Sequence, residues 1–186
     1  MRIRVLFATL AMISASAAHA YSMELALSDE TARFNFSSFV GGFQGGRAQF
    51  DAGLLFNEDD DYVINTGLHV IDVAGTKSPG VQLGVGGTVY FADIGDYNAL
   101  ALALGGQVSF RPQNFNRINL SANFHYAPGI VSFVDADSFT EYGARIEYSL
   151  LPQADVFLGW TKIETEVENV EVRPVKDAHL GIRISF

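Results

Sequence analysis

From Ile118 to Tyr126 the chain alternates without a break. Ile118, Leu120, Ala122, Phe124 and Tyr126 fall on one side, and Asn119, Ser121, Asn123 and His125 on the other. A repeat of two is the side-chain period of an extended strand, so this segment is a ribbon with one greasy and one wet face. The rhythm returns along the chain. Ala48, Phe50, Ala52, Leu54 and Phe56 oppose Arg47, Gln49, Asp51 and Gly53. Val81, Leu83, Val85, Val89 and Phe91 oppose Gln82, Gly84, Gly86, Thr88 and Tyr90. Leu100, Leu102, Leu104, Val108 and Phe110 oppose Ala99, Ala101, Ala103, Gln107 and Ser109. Tyr142, Ala144, Ile146 and Tyr148 oppose Glu141, Gly143, Arg145 and Glu147, and Ala178, Leu180, Ile182, Ile184 and Phe186 oppose His179, Gly181, Arg183 and Ser185.

Further strands are read at 21–27, 31–39, 62–72 and 154–163. That gives about ten, an even number as single-chain bacterial barrels require, with eight as the alternative because the first two are short. The wet faces decide between a soluble sandwich and a membrane barrel. A sandwich turns its polar faces to solvent and fills them with ordinary charged surface. Here they carry glycine, alanine, serine, threonine, asparagine and glutamine, which suit a narrow lumen. Arg145 and Arg183 also fall on the small-residue face, whereas arginine facing lipid at mid-bilayer costs about 2–4 kcal/mol. The expected fold is therefore all-β, an antiparallel up-and-down transmembrane barrel. The soluble sandwich is its rival.

The first twenty residues have a different grammar. Arg2 and Arg4 precede the apolar run Val5 to Ile13, and small residues lead to Ala18-His19-Ala20. A basic start, an apolar stretch too short to span a bilayer and an A-x-A site predict a cleaved secretory signal peptide over 1–20, with the barrel domain over 21–186. Export of a 186-residue chain with no cysteine excludes a disulfide scaffold and a thiolate metal site. A formal charge of −9 makes phosphate-backbone binding, and so a nucleic-acid partner, improbable.

If both termini are periplasmic, connections after odd strands face outwards: 57–61, 93–98, 128–137 and 164–175. The last two are the longest, as external loops should be. The inward-side connections are 73–80, 111–116 and the tight Leu151-Pro152-Gln153. The chain stops at Phe186 on an alternating last strand, a pattern similar to the sorting signal read by the barrel assembly machinery.

Phe124-His125-Tyr126-Ala127-Pro128, Tyr142-Gly143-Ala144-Arg145, Pro152, Gly159-Trp160 and the closing Gly181-Ile182-Arg183-Ile184-Ser185-Phe186 resemble the YfaZ family of proteobacterial outer-membrane proteins. The resemblance implies an outer-membrane β-barrel in a Gram-negative cell envelope. It brings no activity and no functional residues.

Three constellations carry charge or chemistry. Arg47 with Asp51, Glu141 with Arg145 and Glu147, and His179 with Arg183 fall on inward faces. Charges in a narrow lumen must be paired, so they are expected to form an ion-pair plug that stiffens the barrel, with a pore selectivity ring as the alternative. Glu58-Asp59-Asp60-Asp61 reads as a solvated acidic loop tip, the weaker alternative being a cation site or a calcium bridge to lipopolysaccharide phosphate. His125 raises the question of a lipid A-modifying enzyme, but the position two residues on, where a lipid A deacylase of the PagL type places serine, is Ala127. Parity also turns His125 inward, and Ser132, Ser138, Asp135 and Asp137 have no supporting spacing. Trp160, Tyr126, Tyr142, Tyr148, Phe110 and Phe186 read as an interfacial aromatic girdle.

The expected function is a structural or cell-surface role without catalysis, in a largely filled, porin-like barrel with acidic external loops. The first alternative is a narrow channel for ions or small solutes. No cofactor is called for. The expected partners are outer-membrane lipid, lipopolysaccharide and the assembly machinery, with a monomer favoured.

Overall fold

The computed structural model describes residues 21–43, 46–59, 61–73, 80–95, 97–134, 136–167 and 170–186. The signal-peptide segment, Asp60 and Asp135 lie outside them. Eleven strands follow one another: β1 Tyr21–Leu27, β2 Thr31–Phe43, β3 Gly46–Asn57, β4 Tyr62–Val73, β5 Val81–Ile94, β6 Tyr97–Phe110, β7 Ile118–Ala127, β8 Ser132–Val134, β9 Ala136–Leu151, β10 Ala154–Val167 and β11 Val170–Ser185. Each long strand pairs antiparallel with its neighbour, and β1 also pairs with β11, which closes the sheet. Closure leaves no unpaired edge.

Eleven segments make ten staves. Tyr126 of β7 lies opposite Leu104 of β6, and Ser132 of β8 lies opposite Ala101 of the same strand. β7 and β8 are thus one stave, interrupted by the short 3-10 turn Gly129–Val131. The turn and β8 together occupy 129–134 of the stretch expected as an external loop over 128–137.

The connection expected over 164–175 is not a loop. β10 and β11 stay paired through Thr165↔Val172 to Val167↔Val170. Strands β2 and β4 likewise run past their expected ends, to Phe43 and Val73. The connection 111–117, on the end carrying both termini, shows that loop length alone does not orient this barrel; the expected connection 73–80 lies largely outside the described residues.

The outward positions form the apolar belt. Leu104 is 69% exposed, Ile182 48% and Leu120 42%. These side chains would be covered in a two-layer sandwich, so the soluble alternative fails. On β5 the outward run Val81, Leu83, Val85, Gly87, Val89 and Phe91 ends at Asp93. Its length matches the 9–11 residues that a tilted strand needs to cross hydrocarbon. On β10 the belt ends above Trp160, where outward Lys162 pairs with Glu164. Tyr126, Tyr148, Trp160, Phe110 and Phe186 are all exposed on this outer face, and Trp160 packs against Tyr142 with ring centroids 5.6 Å apart.

Candidate functional site

The lumen divides along its axis into two unlike halves. Towards the end away from the termini, inward residues of β3 to β10 pack into an apolar stopper of Leu55, Val63, Ala92, Ile94, Phe139 and Ile163, among others. Phe139 has no exposed surface. Its ring lies against Tyr90 with centroids 4.4 Å apart. Beside it, a polar knot ties the β1–β2 turn to β11. Thr31 Oγ1 donates to Asp177 Oδ2 at 2.7 Å, and the Ser28 hydroxyl donates to the same carboxylate.

Below the stopper the lumen is a cavity of about 610 Å³, with polar and apolar side chains mixed in its wall, that runs to the terminal-end rim at Tyr21, Gly80, Arg111 and Ser185. The interior is therefore filled only in part, contrary to the expectation of a lumen largely packed with side chains.

Four charges from three strands form a ring in the cavity wall. Arg183 Nε donates to Glu24 Oε1 at 2.6 Å, and Arg145 Nη1 to Glu24 Oε2 at 2.8 Å. Arg183 also grips Glu147 with both terminal nitrogens, at 2.9 and 2.8 Å. Arg145 Nε lies 2.6 Å from Glu147 Oε1, and Asn119 Nδ2 donates to Glu147 Oε2 at 2.9 Å. Two acids and two guanidinium groups alternate, so the ring is neutral. Bidentate guanidinium–carboxylate geometry fixes orientation as well as charge balance. Glu141 pairs separately with Arg33 at 3.4 Å.

A second array sits higher. Asp51 accepts from Gln49 Nε2 at 2.6 Å and lies 3.0 Å from His69 Nδ1. His69 Nε2 is in turn 3.0 Å from His125 Nε2. With both rings neutral and a proton on His69 Nδ1 facing the carboxylate, the proton between the rings belongs to His125 Nε2. His125 Nδ1 is then a bare acceptor. Among the described residues it is the one buried side-chain polar atom with no partner.

Glycine makes room for each of the three lumen histidines. His69, His125 and His179 lie opposite Gly86, Gly105 and Gly159 on neighbouring strands. At Gly105 a Cβ would collide with the Phe124 carbonyl oxygen and come within 2.7 Å of His125 Cα.

Of the residues singled out in the sequence, Arg145, Glu147 and Arg183 meet in the ring. Glu141, Asp51 and His179 lie elsewhere in the cavity wall. Arg47 is not paired with Asp51 in the described contacts. Its guanidinium stacks over Phe39, 4.1 Å from the ring centre, while Asp51 is taken by Gln49 and His69. Sequence reasoning missed Glu24, Arg33, His69 and Asn119. Glu24 and Arg33 stand on the two weakly patterned strands, and only the register that places Glu24 opposite Arg183 reveals the partnership.

The acidic tip is held by local bonds. Asp61 accepts from Asn57 Nδ2 and from the Gly95 backbone N–H, both at 2.8 Å, clasping two neighbouring turns. The Asp59 N–H donates to Asn57 Oδ1 at 3.0 Å. No group of three or more metal-binding side chains gathers among the described residues. Ser132 Oγ donates to the Pro128 carbonyl at 3.2 Å, whereas the described partner of His125 is His69. At the carboxyl end, the Phe186 N–H donates to the Tyr21 carbonyl at 2.8 Å and leaves its ring on the outer surface.

The chain matches the YfaZ precursor family over residues 2–186. It belongs to that family. No curated protein matches it significantly. Among solved structures, the YfaZ-family barrel is similar to a KdgM porin in complex with disordered oligogalacturonate, at 7% identity and a TM-score of 0.51, covering 90% of this chain and 99% of that one. A second KdgM porin structure gives 8% identity and a TM-score of 0.46, with coverage of 90% and 99%. The outer-membrane channel DcaP of Acinetobacter baumannii gives 9% and 0.44, with coverage of 90% and 62%. At such identities the likeness concerns the barrel fold alone. Family membership and the encircling apolar belt together make this an exported outer-membrane β-barrel protein.

Proposed function

We propose that this YfaZ-family protein is a non-conducting, non-catalytic outer-membrane barrel with a structural or cell-surface role. The observation that carries this reading is the stopper: among the described residues, apolar side chains pack together at the far end of the lumen, while the cavity opens at the terminal-end rim. The protein acts as a monomer whose partners are outer-membrane lipid, lipopolysaccharide and, during insertion, the barrel assembly machinery. Delivery of the chain from the periplasm places the terminal end, and so the cavity, on that side.

Planar-bilayer recording of the refolded protein tests this directly. The wild-type barrel gives no discrete conductance steps, and Phe139→Ala combined with Ile163→Ala gives them by hollowing the stopper. Steps from the wild-type protein would replace this reading with that of a narrow channel.

A further inference from the structure

The cavity has an unusual division of labour among its polar side chains. Its charges are spent on one another: Glu24, Arg145 and Arg183 in the ring, Arg33 on Glu141, and Asp51 on His69. Of the charged residues that line it, only Arg111 at the rim lacks a described partner. Gln49 and Asn119 join the charged groups by bonding to Asp51 and Glu147, but four other amides behave differently. Asn35, Asn65, Gln107 and Asn123 all line the cavity, and none makes a described hydrogen bond to protein.

These amides come in two pairs, each placed by glycine. Asn35 and Asn65 stand on either side of Gly53 in register, and both side chains lean over it, so that a Cβ there would sit 2.5 Å from Asn35 Oδ1. Gln107 and Asn123 are direct cross-strand neighbours. The first lies over Gly84, where a Cβ would come within 2.8 Å of Gln107 Cγ, and the second over Gly143, where a Cβ would come within 3.0 Å of Asn123 Oδ1. Four amides therefore offer both donors and acceptors to the cavity. The bare acceptor His125 Nδ1 belongs to a residue in the same wall.

We infer that the cavity is a binding site for a neutral polyhydroxylated molecule, a small saccharide or comparable polyol. Hydroxyl groups donate and accept at once, which matches free amides. A charged ligand finds no unspent counter-charge below the rim, and would have to be desolvated against a neutral ring. The volume of about 610 Å³ lies within the roughly 300–1,000 Å³ of ligand pockets. Entry is from the terminal-end rim, so the site samples solutes of the compartment on that side.

The test is calorimetric titration of the full barrel, refolded in a detergent without a sugar headgroup, with maltose, sucrose and a digalacturonate probe. The expected result is saturable binding of a neutral disaccharide and none of digalacturonate. Asn35→Ala with Gln107→Ala weakens binding about tenfold, the loss of one or two hydrogen bonds, while heat-modifiable migration on gels shows that the variant is still folded. If that pair fails to fold, Asn123→Ser supplies the same comparison. Three outcomes overturn the inference: no saturable binding of either neutral sugar, binding of digalacturonate at least as tight, or unchanged affinity in a folded amide variant. None of them bears on whether the barrel conducts, so this inference and the closed-barrel reading fail separately.

Discussion

Replacing Glu147 with glutamine removes one charge from the four-membered ring and keeps its shape. Glu147 is only 2% exposed and is gripped by both terminal nitrogens of Arg183, by Arg145 and by Asn119. After Glu147→Gln, the two guanidinium groups share a single carboxylate, Glu24, and the wall carries an unbalanced positive charge. Removing one partner from a buried ion pair costs about 3–5 kcal/mol. The low end applies here, about 3 kcal/mol, because both arginines keep Glu24 and Arg145 is partly open to the cavity.

Arg183→Gln leaves the opposite imbalance and costs a similar amount. The double variant is neutral again and retains the Glu24–Arg145 pair, so it loses about 3 kcal/mol rather than about 6, a coupling near the upper end of what contacting residues show. Equilibrium guanidinium unfolding in liposomes, with unchanged slope across the four proteins, measures each difference. Losses that add to within 0.5 kcal/mol would refute the ring as a single electrostatic unit, and a Glu147→Gln loss below about 1 kcal/mol would place it in the class of surface pairs.

Further outcomes follow from the lumen and the belt. Gly105→Ala sets a Cβ against the backbone of β7, which cannot yield, and costs about 1–3 kcal/mol in the same unfolding assay. Gly159→Ala meets the His179 ring, which can swing aside, so the loss is smaller. Equal losses would contradict the distinction. Leu104→Arg puts a charge on the mid-strand outer face and costs about 2–4 kcal/mol in lipid, while Asn98→Arg, near the rim of the same strand, costs about 1 kcal/mol or less. A reversed order would place the belt elsewhere.

Which face of each ribbon is greasy was legible because hydrocarbon outside and a narrow lumen inside act on every second residue. The ends of the ribbons were not. Beyond Trp160 and Tyr142 the outer face leaves the apolar belt, the selection for alternation stops, and 164–175 looks like a loop although hydrogen bonding carries β10 and β11 to Val167 and Val170. The stopper was hidden for another reason. Parity sends Leu54 and Phe56 outward, but nothing within one strand says that Leu55, Val63 and Phe139 converge across the lumen into one cluster. Charged partners were hardest to see, since Glu24 and Arg183 are 159 residues apart and meet only once the first and last staves are joined.

That joint makes the ring a mark of register. Glu24 belongs to the first strand and Arg183 to the last, and they sit directly across the closing seam. If β1 slid by two residues, the greasy and wet faces would still match, so hydrophobicity cannot correct the error. The slide would nevertheless bring Ser22 or Ala26 opposite Arg183 and strand Glu24 away from its guanidinium. Two charges at the seam therefore favour a single register of the closing pair, where the greasy and wet faces alone would accept several.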